Sequence, residues 1–301
     1  TFTLFNMPCG ILPPSSGMRR ICSKLFFPPR PSGLRKMSSK STGARSDWSA
    51  SQYLKFEDER TRPARDLLSR VTLQTPRMIV DLGCGPGNST AILEDRYPDA
   101  RILGIDSSPD MIQKAKSALP GREFIIQDLA SYSPTESVDL FFSNAVLHWI
   151  KAEERFEIIK NLMKNQPSGG IFAFQVPDNL SEPSHALMRE TAAAGPWTGM
   201  LSNVERDVFQ SPQEIYDNLK PICSDVHIFK TLYYHPLADH KSVVEWVKGS
   251  GLRPFLDPLT PKDRESFLDI YLGSLKKAYP KSVDGKVLLC YPRLFVVAVR
   301  E

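Results

Sequence analysis

From Trp48 onward, short β-branched and apolar runs alternate with stretches whose apolar positions recur at helical spacing. RMIVDLG reads as a strand and NSTAILEDRYP as the helix after it, with Asn88 in the N-cap position. ARILGIDSS, REFIIQDL, SVDLFFSNAVLHW and GGIFAFQVP continue the strands, and SPDMIQKAKSAL and AEERFEIIKNLMKN the helices between them. The SVDLFFSN strand runs straight into AVLHW, a loop with the composition of a functional segment. After Pro177 the rhythm breaks. EPSHALMRETAAAG is helical, residues 195–210 are irregular and suit a lid, and SDVHIFKTLYYHPL and CYPRLFVVAVR read as two long strands separated by helices near 239–248 and 261–279. This pattern predicts an α/β fold, a doubly wound and mostly parallel seven-stranded sheet with a helical substrate-covering insert. Residues 47–301 are expected to form one domain, with cap elements at about 178–222 and 239–280. Right-handed crossovers gather the loops at the strands' C-terminal ends, where such sheets bind ligands.

Charge changes the picture at one end only. The formal net charge of the 301-residue chain is +4, yet residues 1–46 hold eight Lys or Arg and no acid. Subtracting those eight leaves −4 for residues 47–301, so the body has no electrostatic footprint for nucleic acid. The basic, Ser- and Pro-rich head has the composition of a transit peptide; an upstream extension or a disordered tail fits it as well, since MSSKSTGARSDW from Met37 makes a natural start. The expected location is the cytoplasm, or the mitochondrion if residues 1–36 are a transit peptide. No stretch approaches the roughly 18 apolar residues of a membrane helix. The five cysteines are scattered without metal-ligand spacing, so reduced thiols and no metal are expected. A monomer is expected, with no nucleic-acid or membrane partner.

The chemistry concentrates in MIVDLGCGPGNST, residues 78–90. Glycines let a backbone turn tightly and approach a ligand without a Cβ in the way, and the following helix aims its free N–H groups at that ligand. A Walker loop is excluded because no Lys follows the glycines. A dinucleotide fingerprint is disfavoured by the GxGxG order of Gly83, Gly85 and Gly87, and by Pro86, which lacks an N–H where a pyrophosphate wants one. The leading acid, Asp81, instead suits a cationic ligand with no phosphate, S-adenosylmethionine. Asp106, ending the second strand, stands where it can accept from both ribose hydroxyls. Asp128, ending the third, can accept from an adenine amino group. Either acid could equally be a helix N-cap or a solvated turn residue.

DLGCGPGNST, GIDSSPDMI and SNAVLHW together resemble the trans-aconitate methyltransferases, class I enzymes of Rossmann-like fold that use S-adenosylmethionine. The likeness extends to SDWSASQYLKFEDERTRPARDLL, VPDNLSEPSHALMRE, TLYYHP, EWVKGSGLRPFL and YPRLFVVA, so it covers about residues 46–301 and is thinnest at 195–222. It implies a cofactor site of Asp81, Gly83, Gly85, Gly87, Asp106, Ser107, Met111, Asp128, Leu129 and Asn144, over which Trp48 and Gln52 fold. It also implies the product, a monomethyl ester of trans-aconitate.

A carboxylate acceptor, with a pKa near ~4, is already ionised at neutral pH and requires no general base. The enzyme then needs cations to grip the remaining carboxylates and walls to aim one oxygen. Arginine's planar fork suits the first task. Arg60, Arg62, Arg253 and Arg293 are the candidates, with Arg253 and Arg293 favoured because apolar residues follow them, whereas Arg60 and Arg62 can pair with nearby Glu57, Asp58 and Glu59. His148 and Trp149 are expected beside the transferred methyl as orienting groups. Bacterial members of the family tend to carry Gln where this chain has His148. Tyr233 and His235 share a strand face, and Tyr233 is a candidate donor to a substrate carboxylate or an ordinary core aromatic. Cys84 is expected to pack within the glycine turn. Rival readings are another acceptor on the same fold (3-isopropylmalate, the other carboxyl of trans-aconitate, a secondary-metabolite oxygen or thiol) and a non-catalytic cofactor-binding module.

Overall fold

The computed structural model describes residues 57–204 and 207–301. The basic head, Trp48 and Gln52 lie outside the described residues, as does the side chain of Arg60. Seven strands, β1 (Met78–Leu82), β2 (Arg101–Asp106), β3 (Glu123–Ile126), β4 (Leu140–Asn144), β5 (Ile171–Pro177), β6 (Cys223–Leu237) and β7 (Val287–Arg300), form one sheet in the order β3-β2-β1-β4-β5-β7-β6. The first five are parallel, and β7 runs antiparallel to both its neighbours. The expected doubly wound, mostly parallel sheet is therefore present. Its central strands are buried along their length because helices cover both faces, which is why MIVDL and IFAFQV read as continuous apolar runs.

Helices α1 (Glu57–Leu68), α2 (Asn88–Arg96), α3 (Pro109–Ala118), α4 (Ala152–Met163), α5 (Pro183–Ala194), α6 (Thr198–Leu201), α7 (Pro212–Leu219), α8 (His240–Lys248), α9 (Arg253–Leu256) and α10 (Pro261–Ala278) surround the sheet, with short 3₁₀ turns at Leu129–Ser131, Leu147–Trp149 and Lys220–Ile222. Asn88 is not the N-cap of α2 but its first residue. Gly87, at φ 99°, caps the helix without a side chain, since the turn needs a left-handed residue there. Asp128 stands two residues beyond β3 and caps a short 3₁₀ turn, its Oδ1 accepting from Ala130 N at 2.9 Å.

Two of the apolar clusters matter for the site. One joins α4 and α7 to the sheet through Phe156, Ile159, Ile215, Leu219, Phe172 and Val296. The other joins α5 and α8–α10 to the distal half of the β6–β7 hairpin through Met188, Trp246, Phe267, Leu237, Leu289 and Tyr291. One expectation is corrected here. Helix α7 packs on the sheet core instead of the cap; its start is the capping box of Ser211 and Glu214. Within the stretch expected to suit a lid, Trp197 is buried in the cap core and its indole N–H donates to Thr191 O at 2.9 Å.

Candidate active site

The C-terminal ends of β1, β2 and β4 meet around the glycine turn. Gly83, Gly85 and Gly87 all have positive φ (70°, 56° and 99°), a region other residues enter at a cost. Gly83 N and Cys84 N donate to Ile105 O at 2.8 and 2.9 Å, and Gly85 N donates to Asp106 Oδ2 at 3.0 Å, which stitches the turn to β2. A Cβ on Gly83 would sit 2.3 Å from the Val146 side chain, whereas one on Gly85 would meet nothing within 4 Å. Gly83 is thus a packing glycine and Gly85 the one that faces open space.

Asp81 is fully buried. Its Oδ2 accepts from Ser89 Oγ and Thr90 Oγ1, both at 2.7 Å, fastening the first turn of α2 to β1. Its Oδ1 has no hydrogen-bond partner among the described residues. Burial pushes its carboxyl pKa up to about 6, only partly offset by the two hydroxyls. A buried carboxylate oxygen without a donor, beside a glycine that opens outward, fits a ligand bearing a cationic group. Asp106 also accepts from Ser108 N at 2.9 Å, and Ser108 Oγ caps α3 by accepting from Met111 N. Asp106 thus ties the glycine turn to the start of α3, whose N-cap is Ser108 and not Asp106. Ser107 and Asp128 are exposed, while Met111 and Leu129 are buried beside them. Cys84 packs with Ile112, Ala115 and Phe124, and burial near Asp81 and Asp106 holds its thiol protonated.

Across the sheet a polar row passes through the apolar core. Gln175, fully buried in β5, donates through Nε2 to Asn144 Oδ1 and accepts through Oε1 from Arg293 Nη1 at 3.0 Å. Because arginine has only donors, the carbonyl end of Gln175 faces Arg293 and its amino end faces Asn144. Arg293, opposite Pro177 in the β5–β7 register, is 5% exposed and lies 5.2 Å from the Tyr291 ring. Asn144, the last residue of β4, and Arg293 are thus brought into one network, which Gln175 completes. The signal for Gln175 was a lone amide in the apolar run IFAFQVP.

The loop after β4 is under constraint. Ala145 has φ 61°, the one positive value outside glycine among the described residues, and its N–H donates to Gln175 O at 3.0 Å. His148 is buried in the following 3₁₀ turn with Trp149, 41% exposed, against its ring at 4.8 Å. Sequence reasoning missed the group that holds this turn. Arg155 of α4, fully buried, donates to Leu147 O at 3.0 Å and Ile150 O at 2.8 Å, the carbonyls on either side of His148–Trp149. It also donates to Gln210 Oε1 at 2.5 Å and lies 4.4 Å from the Phe209 ring.

The other expected substrate residues are spread more widely. The Tyr233 hydroxyl donates its single proton to Asp66 of α1 at 2.5 Å, so the donor expected for a substrate carboxylate is already engaged. Burial and that acid raise its pKa. Arg62 is exposed, with its guanidinium 5.3 Å from the Tyr233 ring. Arg253 opens α9 in the cap, its Nε 3.9 Å from Asp257 Oδ2.

A glycine turn behind a buried acid, on a seven-stranded sheet whose last strand is inserted antiparallel, defines a class I methyltransferase. A methyltransferase-domain family model matches residues 79–170. The trans-aconitate 2-methyltransferase of Rhodopseudomonas palustris (strain BisB5) is 48% identical over 256 residues, 84% of this chain and 99% of that protein. The enzyme of the same name from Rhizobium etli is 49% identical over 255 residues, with the same shares covered. The chain belongs to the trans-aconitate 2-methyltransferase family. Among solved structures, the YcgJ protein from Bacillus subtilis shares the fold, with a TM-score of 0.53 at 12% identity over 80% of this chain and 98% of that one.

Proposed function

We propose that this enzyme methylates a carboxylate of trans-aconitate, at the position named for its relatives, with S-adenosylmethionine as donor. The observation that carries the reading is Arg293, a buried cation held toward the C-terminal edge of β5 by a neutral amide and an aromatic ring. A guanidinium fork in such a setting pairs well with a carboxylate through two charge-assisted hydrogen bonds. S-adenosylmethionine supplies an electrophilic methyl group on a sulfonium. Asp81 answers its cationic amino-acid end, and Gly83, Gly85 and Gly87 let the backbone approach. Asp106 and Asp128 answer its hydroxyl and amino donors, with Ser107, Met111, Leu129 and Asn144 as walls.

The chain's task is orientation and exclusion of water, since an ionised carboxylate has no proton to remove. Arg293 grips one carboxylate of the polyacid through paired hydrogen bonds, and Arg62 and Arg253 add positive potential from α1 and the cap. The turn held by Arg155 presents His148 and Trp149 as the wall beside the reacting oxygen. His148 acts by shape and not as a base, so His148→Gln keeps most of the turnover. Free thiols at Cys84, Cys223 and Cys290 fit a reducing compartment, the cytoplasm or the mitochondrial matrix. No helix of the described residues is long and apolar enough to cross a membrane.

The test is mass spectrometry of trans-aconitate, 3-isopropylmalate and citrate after incubation of the full chain with S-adenosylmethionine. One added methylene is expected on trans-aconitate, and Arg293→Ala should cut kcat/KM by about 10²-fold or more, the scale of a lost charged hydrogen bond. NMR of the product identifies the carboxyl. An unmodified polyacid set, with the cofactor still bound, overturns the acceptor assignment.

A further inference from the structure

Beyond its end at Pro177, β5 is outrun by the β6–β7 hairpin, which continues over the C-terminal edge of the sheet. On the face of this extension that carries Arg293 stand Tyr233, Tyr291 and His235, with Tyr233 opposite Tyr291 and His235 opposite Leu289. His235 is 4% exposed and enclosed by aromatic rings. Its centroid lies 4.5 Å from Trp246, 6.1 Å from Tyr233 and 6.3 Å from Tyr291. Its Nε2 is buried with no hydrogen-bond partner among the described residues. A second such group lies just past the end of β5, next to the strand that carries Arg293. Asn179 is fully buried just past β5, where Asp178 N donates to Pro292 O at 2.9 Å, and neither its amide oxygen nor its amide nitrogen has a partner. Buried polar atoms are nearly always paired, and two residues left open beside one arginine point to a shared outside partner.

We propose that His235 is a second anchor for the acceptor: its Nε2 hydrogen bonds a carboxyl group that is not methylated, with Asn179 assisting. The inference rests on the polycarboxylate reading above and extends it to the remote end of the substrate. It also carries a charge consequence. The groups acting on His235 are Arg293 and Tyr291 from β7, Arg62 from α1, Tyr233 from its own strand and the neutral Trp246 from α8, with Asp66 of α1 behind the Tyr233 hydroxyl that donates to it. Burial and the two arginines lower its pKa to about 4, so the ring is neutral before the acceptor arrives. A polyanion placed between His235 and Arg293 reverses that field. The imidazole then takes up a proton as the acceptor binds, turning a neutral donor into a charged one.

The experiment is calorimetric titration of trans-aconitate into the full chain saturated with S-adenosylhomocysteine, in two buffers of different ionisation enthalpy, between pH 7.5 and 5.5. The wild type is expected to take up a proton fraction that grows as pH falls. His235→Gln retains a donor that cannot titrate; it should bind within about threefold and lose the uptake. His235→Leu should bind about tenfold more weakly or worse, the scale of one hydrogen bond. S-adenosylhomocysteine affinity checks that each variant is folded, and if the Leu variant fails that check the Gln variant decides. Unchanged proton uptake in His235→Gln, or unchanged affinity in a folded His235→Leu, overturns the anchor alone. A wild type that binds S-adenosylhomocysteine but no polycarboxylate overturns both the anchor and the acceptor reading.

Discussion

Two buried titrating side chains pull stability in opposite directions. Asp81 has a folded pKa of about 6 against an ordinary 3.8, so between pH 4 and 6 the folded chain keeps a proton that the unfolded chain releases, and stability falls as pH rises. His235, lowered from 6.5 to about 4, does the reverse: the unfolded chain binds the extra proton, and stability falls as pH drops through the same window. Each effect is on the order of 3 kcal/mol from its shift, so the wild type should show a nearly flat urea-unfolding free energy from pH 4.5 to 6. Asp81→Asn should expose the His235 slope, rising with pH, and His235→Gln the opposite slope. Parallel curves in all three proteins would contradict the assignment. Asp81 also links pH to binding, because only its ionised form attracts a cation. Affinity for S-adenosylmethionine should therefore climb through pH 6 in the wild type and stay level in Asp81→Asn, read by calorimetry.

At the scale of elements, the glycine turn and the turn after β4 lean on each other through Gly83 and Val146. Gly83→Ala is expected to lower stability by 2 kcal/mol or more, roughly the sum of a left-handed residue and an overpacked contact. Gly85→Ala, with open space around its Cβ, should cost about 1–2 kcal/mol of backbone strain and weaken cofactor binding far more than Gly83→Ala does per unit of stability lost. Arg155 offers a sharper case. Arg155→Ala strands the Leu147 and Ile150 carbonyls, with an expected loss of about 3–5 kcal/mol in chemical denaturation. Arg155→Lys keeps the charge without the fork and should lower kcat while sparing cofactor affinity. The strands were legible because sheet burial writes itself as apolar runs, and the glycine turn because its acid and spacing are local. Gln175 and Arg155 were not, because their partners lie 31 and 118 residues away for one and on backbone carbonyls for the other. Helix α7 carries a readable S-x-x-E signature in SPQE, residues 211–214, just beyond the irregular stretch. For Tyr233 the sequence left a substrate donor and a core aromatic both open, because face sharing on a strand says nothing about Asp66, 167 residues away.

Over the whole molecule, the β6–β7 hairpin belongs to both large clusters: Val226, Leu294 and Val296 sit in the sheet core, Leu237, Leu289 and Tyr291 in the cap core. Neither cluster can dissolve without unseating the same two strands. Scanning calorimetry of the full chain is thus expected to show sheet and cap melting in one transition, raised by S-adenosylhomocysteine and raised again by trans-aconitate. Two separated transitions would mean that the hairpin does not couple them. The hairpin also keeps two jobs on different parts of the chain. Under the proposed assignment the donor's contacts come from the ends of β1 to β4, whereas the acceptor's buried anchors, Arg293 and His235, both stand on the hairpin assembled after Pro177. A lineage could therefore exchange one acid for another by altering the distal hairpin and its cap while its claim on the methyl donor is inherited untouched.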